Sequence, residues 1–325
     1  MLENDAIVVS NLTKKYGKTV ALNNVSFSVK AGSVVGLIGP NGAGKSSVLK
    51  ILTGLIRGTS GDVSIRGISV ADDAICAKKY ISFMPENNPL PDHMRVGEYL
   101  RFRAELKGIS GKKIRASTEK VMRQCDLYYE ARYCMIKNLS KGFRQRVGLA
   151  DAMLGNSEIV ILDEPTIGLD PLQIMGVRKI ITANRGTRTI LISSHILSEL
   201  EPICDKFIII NRGNIVASGT LDDLANDLQG KRLFSARIRG DGAKIRRVFE
   251  ANGAQIAGFE HLSSVDMRVN FCMPDEKYRI LVAEISREED LFLEKIGRME
   301  FSLEEIFLHY TRRCRDQDEV WNGDL

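Results

Sequence analysis

Long apolar runs and a targeting segment are absent from this sequence of 325 residues. No stretch approaches the roughly 20 apolar residues that a membrane-spanning helix needs. The longest runs, such as 159–162 and 207–210, have the length of a strand. Residues 1–5 lack the basic and apolar regions of a signal peptide. We therefore expect a protein that is made in the cytoplasm and stays there.

Paired cysteines and a strong excess of one charge are also lacking. The six cysteines are scattered and no two have C-x-x-C spacing, so we expect reduced thiols rather than a zinc or redox site. The 46 Lys and Arg residues outnumber the 41 Asp and Glu residues only slightly, for a net charge of +5. DNA-binding domains usually concentrate basic charge on one face. This mild excess predicts no nucleic-acid partner.

The chain is longer than one compact core usually is, which predicts a large domain and a smaller one. We place them at 1–228 and 229–325, because the residue pattern changes near 228. In the large domain, alternating runs within 6–29 predict antiparallel strands. Residues from about 86 to 150 include a charged, strand-poor stretch, which predicts a helical subdomain.

Short periodic segments predict an α/β core followed by a small α+β domain. In the large domain, buried strands are predicted at 34–38, 159–162 and 189–192, a helix at 46–55 and a hairpin at 207–216. In the small domain, strands are predicted at 234–239 and 267–271, and helices at 243–251 and 276–285.

A glycine-rich loop follows the first buried strand and precedes the helix. Residues 39–46, Gly-Pro-Asn-Gly-Ala-Gly-Lys-Ser, match G-x-x-x-x-G-K-[ST] in full. Glycines let backbone N–H groups surround phosphate, and the helix N-terminus adds its dipole. Lys45 supplies positive charge to the β- and γ-phosphates, and the Ser46 hydroxyl is a candidate ligand for Mg²⁺. The predicted nucleotide-binding residues here are Gly39, Pro40, Asn41, Gly42, Ala43, Gly44, Lys45, Ser46 and Ser47.

Two acids, Asp163 and Glu164, follow the buried strand at 159–162. In an open parallel sheet the ligand lies outside the carboxyl ends of the strands. Asp163 is then placed to hold Mg²⁺, and Glu164 to polarise the attacking water or accept its proton. Alone, the pair would equally indicate a solvated strand end. The complete phosphate loop upstream favours the catalytic interpretation.

The ordered series of motifs resembles the nucleotide-binding domains of ATP-binding cassette (ABC) transporters. Residues 139–146, Leu-Ser-Lys-Gly-Phe-Arg-Gln-Arg, lie where that family carries LSGGQ-x-QR. Lys141 and Phe143 depart from the family pattern, whereas Ser140 and Gly142 match it. The resemblance implies that Ser140 and the Gly142 amide, at the start of a helix, bind a γ-phosphate.

Four further residues acquire roles through this resemblance. Asp170 closes the Gly-Leu-Asp sequence of a D-loop, and His195 fits the switch histidine that contacts the γ-phosphate. Tyr16 lies where the family stacks an aromatic ring on adenine. Glu86 replaces the usual Q-loop glutamine, which reaches Mg²⁺ or the water and links the site to the helical subdomain. Alone, such a histidine is more often structural, and a hairpin tyrosine would indicate packing.

The resemblance covers residues 6–225 and implies the P-loop NTPase fold of ABC ATPases: a mixed sheet core, an antiparallel β subdomain and a helical subdomain. It also implies Mg²⁺-dependent ATP hydrolysis in a head-to-tail dimer, with a second copy of the chain or a paralogous ATPase subunit. A separate transmembrane permease is the implied partner, with the chain peripheral on the inner face of the cell membrane. No reaction on the cargo is needed.

Three features are similar to an exporter branch that contains gliding-motility, sodium-efflux and drug-efflux ATPases. They are Lys141, the Met-Pro-Glu sequence at 84–86 and the appended tail. Residues 302–308 resemble the segment that closes the C-terminal domain of this branch. The same residues have the pattern of a plain amphipathic helix with a serine N-cap, so both interpretations stay open.

Two other functional classes remain to be weighed. A soluble ABC ATPase acting on nucleic acid or ribosomes usually carries two cassettes or a long coiled-coil insertion, and this chain has one cassette and no sustained heptads. A regulatory module that senses ATP without turnover would not need Glu164 and His195. The transporter subunit is therefore the favoured interpretation.

Overall fold

The computed structural model describes residues 5–229, 233–263, 266–298 and 301–311. They form two compact units, of which the second begins at Asp222. The predicted boundary at 228 falls within the helix Leu221–Gln229. Within these ranges, no helix is long and apolar enough to cross a lipid bilayer. The cysteines of the same ranges are free thiols, and Cys314 lies outside them.

An antiparallel sheet opens the first unit, as the alternating runs predict. Its strands β1 (Asp5–Tyr16), β2 (Thr19–Lys30), β4 (Ser60–Ile65) and β5 (Ile68–Ser69) lie in the order β2-β1-β4-β5. The turn between β1 and β2 needs a positive φ, which Gly17 provides at 58°. Ile7 and Val9 of β1 are buried, so one face of this sheet packs into the core of the unit.

A six-stranded sheet forms the second layer of this unit. Its strands are β3 (Val34–Ile38), β6 (Ile81–Met84), β7 (Ile159–Asp163), β8 (Thr189–Ser194), β9 (Lys206–Asn211) and β10 (Asn214–Gly219), in the order β10-β9-β3-β8-β7-β6. All neighbours are parallel except the hairpin of β9 and β10. The predicted mixed sheet is thus confirmed. Since β3, β7 and β8 are parallel, the loops that follow them meet at one edge.

The helices of the first unit are α1 (Lys45–Leu52), α2 (Ala74–Lys78), α3 (Val96–Leu106), α4 (Gly111–Gln124), α5 (Lys141–Met153), α6 (Pro171–Ala183) and α7 (Leu197–Leu200). Three of them, α3 to α5, lie between β6 and β7 in the sequence. Helix α1 ends before the predicted 55 because Gly54, at φ 63°, closes it. The Leu55 N–H then bonds to the Lys50 carbonyl, at 2.9 Å.

The strand-poor stretch is helical, as predicted, and α3 is fastened to α5 by a nearly buried carboxylate. Asp151 of α5 accepts hydrogen bonds from Arg103 Nε at 2.9 Å and from the Tyr99 hydroxyl at 3.1 Å. Lys107 adds an ion pair at 3.3 Å. A buried carboxylate is tolerated only when it is paired in this way. The contacts fix the helical subdomain to the helix that carries the signature sequence.

The second unit is a compact α+β fold, as predicted. It begins with α8 (Leu221–Gln229). The further elements are β11 (Leu233–Arg239), α9 (Gly242–Ala251), β12 (Gln255–His261), β13 (Asp266–Cys272), α10 (Asp275–Arg287) and β14 (Phe292–Arg298). The order β12-β13-β11-β14 with antiparallel pairing makes this a split β-α-β unit. Phe249 of α9 meets Phe271 of β13 edge to face, with centroids 4.8 Å apart, in its core.

Strands β12 and β14 were not predicted, because neither has a clear alternating pattern. Gly258 interrupts β12, and charges occupy much of β14. The following helical residues 303–311 begin with a capping box at Ser302. The Ser302 hydroxyl accepts from the Glu305 N–H at 3.3 Å, and the Glu305 carboxylate accepts from the Ser302 N–H at 2.9 Å.

Candidate functional site

The glycine-rich loop connects β3 to α1 and passes close to two neighbouring strands. A Cβ on Gly39 would lie 2.3 Å from the carbonyl oxygen of Ile210. Gly44 has φ 110°, and a Cβ there would lie 2.7 Å from the carbonyl oxygen of Ala21. Only glycine fits either position, so the loop can curl as a phosphate-binding backbone requires.

Lys45 is the first residue of α1 and lies over this loop. Its side chain is only 7% exposed, and Nζ donates to the Gly39 carbonyl at 2.7 Å and to the Pro40 carbonyl at 3.3 Å. Burial lowers the pKa of Lys45, whereas the nearby acids Glu164, Asp163 and Glu86 raise it. The ammonium group therefore lies where an anion would gain most from it.

A cavity of about 500 Å³ opens at this end of the sheet, within the size range of small-molecule sites. The cavity is lined by most of the residues predicted to bind the nucleotide or its metal, and by the predicted catalytic residues. Its lining comprises Ala21, Asn41, Gly42, Ala43, Gly44, Lys45, Ser46, Ser47, Glu86, Glu164, Ile167 and His195. Residues from four separate sequence motifs thus meet around one space.

Glu164 and His195 form a polar pair that lines the same cavity as the loop. Glu164 Oε2 lies 2.7 Å from His195 Nδ1, and Glu164 is 6% exposed. Burial raises the pKa of Glu164, and the hydrogen bond to His195 opposes that rise. A carboxylate with a raised pKa in a cleft is suited to accepting a proton.

Asp163 lies beside this pair but does not line the cavity. The Ser193 hydroxyl donates to its Oδ1 at 2.5 Å, which leaves Oδ2 available. Among the described residues, no group of three or more acidic, histidine or cysteine side chains is arranged to hold a metal ion alone. Oxygen donors do suit Mg²⁺, which usually combines one or two carboxylates with phosphate oxygens and waters. Ser46, Glu86 and Asp163 fit that kind of site.

The residues of the signature and D-loop lie together in a second place. Ser140 caps α5, accepting from the Phe143 N–H at 3.4 Å, and Asp170 caps α6, accepting from the Gln173 N–H at 2.9 Å. A Cβ on Gly142 would lie 2.6 Å from Gln173 Oε1, so the two helix starts are in contact. None of Ser140, Gly142 and Asp170 lines the cavity.

Three predicted residues need a separate account. Gly39 and Pro40 do not line the cavity, although their carbonyls hold Lys45. Tyr16, at the end of β1, is 48% exposed and also lies outside the lining. Lys14 Nζ is 4.9 Å from the centroid of its ring.

Three contributors were not predicted from the sequence. Ser193 joins Asp163 to the next strand, and Gln145 donates from α5 to the Glu164 carbonyl at 3.1 Å. Asn88 donates in turn to Gln145 Oε1 at 3.0 Å. For Ser193, the sequence signal is the pair of serines at 193–194, which ends a buried strand next to His195. Gln145 matches the signature sequence of the family, but its contact with Glu164, like the role of Asn88, depends on how α5 packs on β7.

Comparison with known proteins gives a consistent result. The ABC transporter family matches residues 22–167. An uncharacterised ABC transporter ATP-binding protein of Nostoc sp. is 32% identical, over 97% of this chain and 94% of that protein. The linearmycin resistance ATP-binding protein LnrL of Bacillus subtilis is 28% identical, over 93% of this chain and 97% of that one. A solved ATP-binding subunit of an ABC transporter aligns with a TM-score of 0.65 and 32% identity, covering 69% of this chain and 93% of that chain.

Proposed function

Because this chain belongs to the ABC transporter ATP-binding proteins, we propose that its ATP hydrolysis powers an exporter through a separate transmembrane permease. The observation that carries the proposal is the meeting of Lys45 with the Glu164–His195 pair around one cavity of about 500 Å³. A cationic loop and a buried base that share one cavity are what phosphoryl transfer to water requires.

ATP binding rests on the glycine-rich loop. Backbone N–H groups of 41–46 and the start of α1 face the β- and γ-phosphates. Lys45 exchanges its bonds to the loop carbonyls for bonds to phosphate oxygens. The Tyr16 ring, half exposed at the end of β1, supplies an adenine-stacking surface.

Hydrolysis needs a base for the attacking water, and Glu164 is that base. Its carboxylate accepts the water proton as the oxygen attacks the γ-phosphorus, while the bond to the β-phosphate oxygen breaks. His195 holds the carboxylate at 2.7 Å and approaches the γ-phosphate. Bound Mg²⁺ would neutralise charge on the β- and γ-oxygens. Its protein ligands would be Ser46, Asp163 and Glu86, the last in place of the usual glutamine.

The position of the signature and D-loop residues supports a dimer. Ser140, Gly142 and Asp170 do not line the cavity of their own chain, so we assign them to the nucleotide of a second chain. Two chains related by a two-fold axis would then enclose two ATP molecules. The second chain is another copy or a paralogous ATPase subunit. Residues 1–228 form the ATPase domain of this proposal, with its helical subdomain at about 86–150 toward the permease, and 229–325 form the accessory domain.

Export is supported by relatives whose names refer to antibiotic resistance or to multidrug transport. LnrL is a linearmycin resistance protein, and a probable multidrug ABC transporter protein, YbhF of Escherichia coli, is 35% identical over 69% of this chain. The chain would be peripheral on the inner face of the cell membrane, held by its permease. No observation favours the alternative of a soluble ATPase acting on nucleic acid or ribosomes.

Co-purification from solubilised membranes tests the transport proposal. We expect the tagged chain to bring down a protein with several apolar membrane spans, together with ATPase activity that requires Mg²⁺. Lys45→Ala is the control, since it removes the ATPase activity but leaves the surface of the helical subdomain unchanged. Recovery of ATPase activity with no membrane protein in any preparation would overturn the coupling to a permease. A chain without ATPase activity would overturn the catalytic assignment.

A further inference from the structure

The backbone of Glu164 is held in a conformation that its sequence does not favour. Its φ is 49°, in the left-handed region that non-glycine residues rarely adopt. Pro165 follows it, and a residue before proline is restricted to extended conformations. Such strain persists only where the surroundings determine the conformation. The contacts on both sides of Glu164 therefore decide where its carboxylate lies.

Both peptide groups of Glu164 are clamped by neighbouring elements. Its N–H donates to the carbonyl and hydroxyl oxygens of Ser193 in β8, at 3.1 and 3.2 Å. Its carbonyl accepts from Gln145 Nε2 in α5, at 3.1 Å, and more weakly from the Ile167 N–H of its own loop, at 3.3 Å. Gln145 is 5% exposed, so water cannot replace this donor without rearrangement. These hydrogen bonds hold the backbone of Glu164 on both sides of the side chain that contacts His195.

The orientation of the Gln145 amide follows from its partners. The Glu164 carbonyl can only accept, so the Gln145 group facing it must be the NH₂. The Gln145 oxygen then faces Asn88, whose Nδ2 donates to it at 3.0 Å. The two hydrogen bonds thus form a series from Asn88 through Gln145 to Glu164, in which each donor meets an acceptor.

A glycine on α5 makes room for this series of hydrogen bonds. A Cβ on Gly148 would lie 2.4 Å from Asn88 Nδ2, so the Asn88 amide occupies the space that a larger residue would fill. Asn88 lies two residues after Glu86, in the segment that follows β6. Asn88 and Glu164 are 76 residues apart in the sequence. Two hydrogen bonds, from Asn88 to Gln145 and from Gln145 to Glu164, connect them in the fold.

We infer that Gln145 is a positioning residue for Glu164, and that Asn88 couples this position to the segment carrying Glu86. The inference rests on the proposed role of Glu164 as the base for hydrolysis. Gln145 touches neither nucleotide nor water in this scheme. It keeps the strained peptide from relaxing, and so keeps the carboxylate beside His195 and the cavity. A displacement of the segment around 86–88 shifts Gln145 and alters the alignment of the base.

Substitution of Gln145 separates its hydrogen bond from its packing. Gln145→Met keeps the size of the side chain and loses the donor. Gln145→Glu also keeps the size, but its carboxylate repels the Glu164 carbonyl. For the purified full chain we expect kcat for ATP to fall by about 10- to 100-fold in both variants, because a misplacement near 1 Å costs that much. The KM for ATP should change by less than about 3-fold, since no phosphate contact is lost.

The exposed Gln124→Met on α4 is the matched control and should leave kcat unchanged. Thermal unfolding with and without Mg·ATP verifies that each variant folds and binds. A Gln145 variant that keeps kcat within about twofold, or whose kcat and KM change in parallel, would overturn the positioning role. Glu164→Gln is measured beside them. If it turns over normally, the proposed base is wrong; if it is inactive while the Gln145 variants are normal, only the present inference fails.

The Asn88 link has its own test. Gly148→Ala displaces the Asn88 amide while alanine favours the helix, so α5 itself is not weakened. We expect this variant and Asn88→Ala to lower kcat by about 3- to 10-fold, consistent with coupling between contacting residues. Adding Asn88→Ala to Gln145→Met should produce no further loss, because the path is already broken. If the two reductions in kcat were fully additive, Asn88 would act elsewhere and would not belong to the hydrogen-bonded series that ends at Glu164.

Discussion

Replacing Glu164 with glutamine removes the proposed base while preserving its shape. Glu164 is 6% exposed and contacts His195 at 2.7 Å. Glutamine can keep a hydrogen bond to His195, with its amide as donor or its oxygen as acceptor. Burial already disfavours the charged form of Glu164, since it raises the pKa of this carboxyl. A neutral amide should therefore not destabilise the wall of the cavity.

The expected loss is confined to turnover. A positioned general base contributes about 10²- to 10⁴-fold to a rate, which corresponds to about 3–5 kcal/mol of transition-state stabilisation. Lys45 and the loop that bind the phosphates are unchanged, so the dissociation constant for Mg·ATP should stay within about threefold. In the proposed dimer ATP then persists between the two chains, so Glu164→Gln should accumulate as a dimer in the presence of Mg·ATP.

Phosphate release measured at saturating ATP gives the rate, and light scattering after size exclusion gives the mass with ATP or ADP. Glu105→Gln, an exposed residue of α3, is the control for the same chemical change. Turnover by Glu164→Gln at the wild-type rate would remove Glu164 from its role. A slow variant that stays monomeric with ATP would leave the base in place and refute the enclosed-nucleotide dimer.

Three other substitutions test separate parts of the structure. Lys45→Ala should lose most of the affinity for Mg·ATP in a calorimetric titration, because the buried cation of the loop is gone; unchanged binding would contradict the phosphate cradle. Ser140→Ala should abolish ATP-dependent dimers but leave the affinity of the monomer for ATP within about twofold, and it should cost about 1 kcal/mol of stability through the lost helix cap. Phe249→Ala should lower the unfolding free energy of the second unit by about 3–5 kcal/mol in a denaturant titration without changing the KM for ATP; an altered KM would show that this core reaches the nucleotide.

The candidate site was largely predictable because its residues follow buried strands. Lys45, Glu164 and His195 come after β3, β7 and β8, which are parallel neighbours in the sheet. Strand ends in such a sheet meet at one edge, so residues far apart in sequence converge without any knowledge of side-chain packing. The expectation that Ser140 and Gly142 lie in a different place came from the resemblance to ABC transporters, because a helix start alone does not distinguish them from Lys45, which begins α1.

What could not be predicted depends on contacts between elements. Gln145 reaches the Glu164 carbonyl only because α5 packs on β7 in one particular rotation. Asn88 reaches Gln145 only because Gly148 leaves space. In the second unit, strand β14 was missed since its charges form cross-strand ion pairs, such as Glu294 with Arg237 at 2.9 Å. Pairing of this kind makes a charged segment suitable for a sheet, and it appears only once the neighbouring strands are known.

The strand order of the six-stranded sheet also governs when the protein can mature during synthesis. Strand β3, which carries the phosphate loop, lies between β8 and β9. About 150 residues separate its end at Ile38 from the start of β8 at Thr189. At roughly 5–20 residues per second, a ribosome needs about 8–30 s to make that interval. During this time β3 has no neighbour in its sheet, whereas β1, β2 and β4 can already pair. The sheet around β3 therefore cannot close until β8 has been made, and the phosphate loop reaches its final surroundings only then.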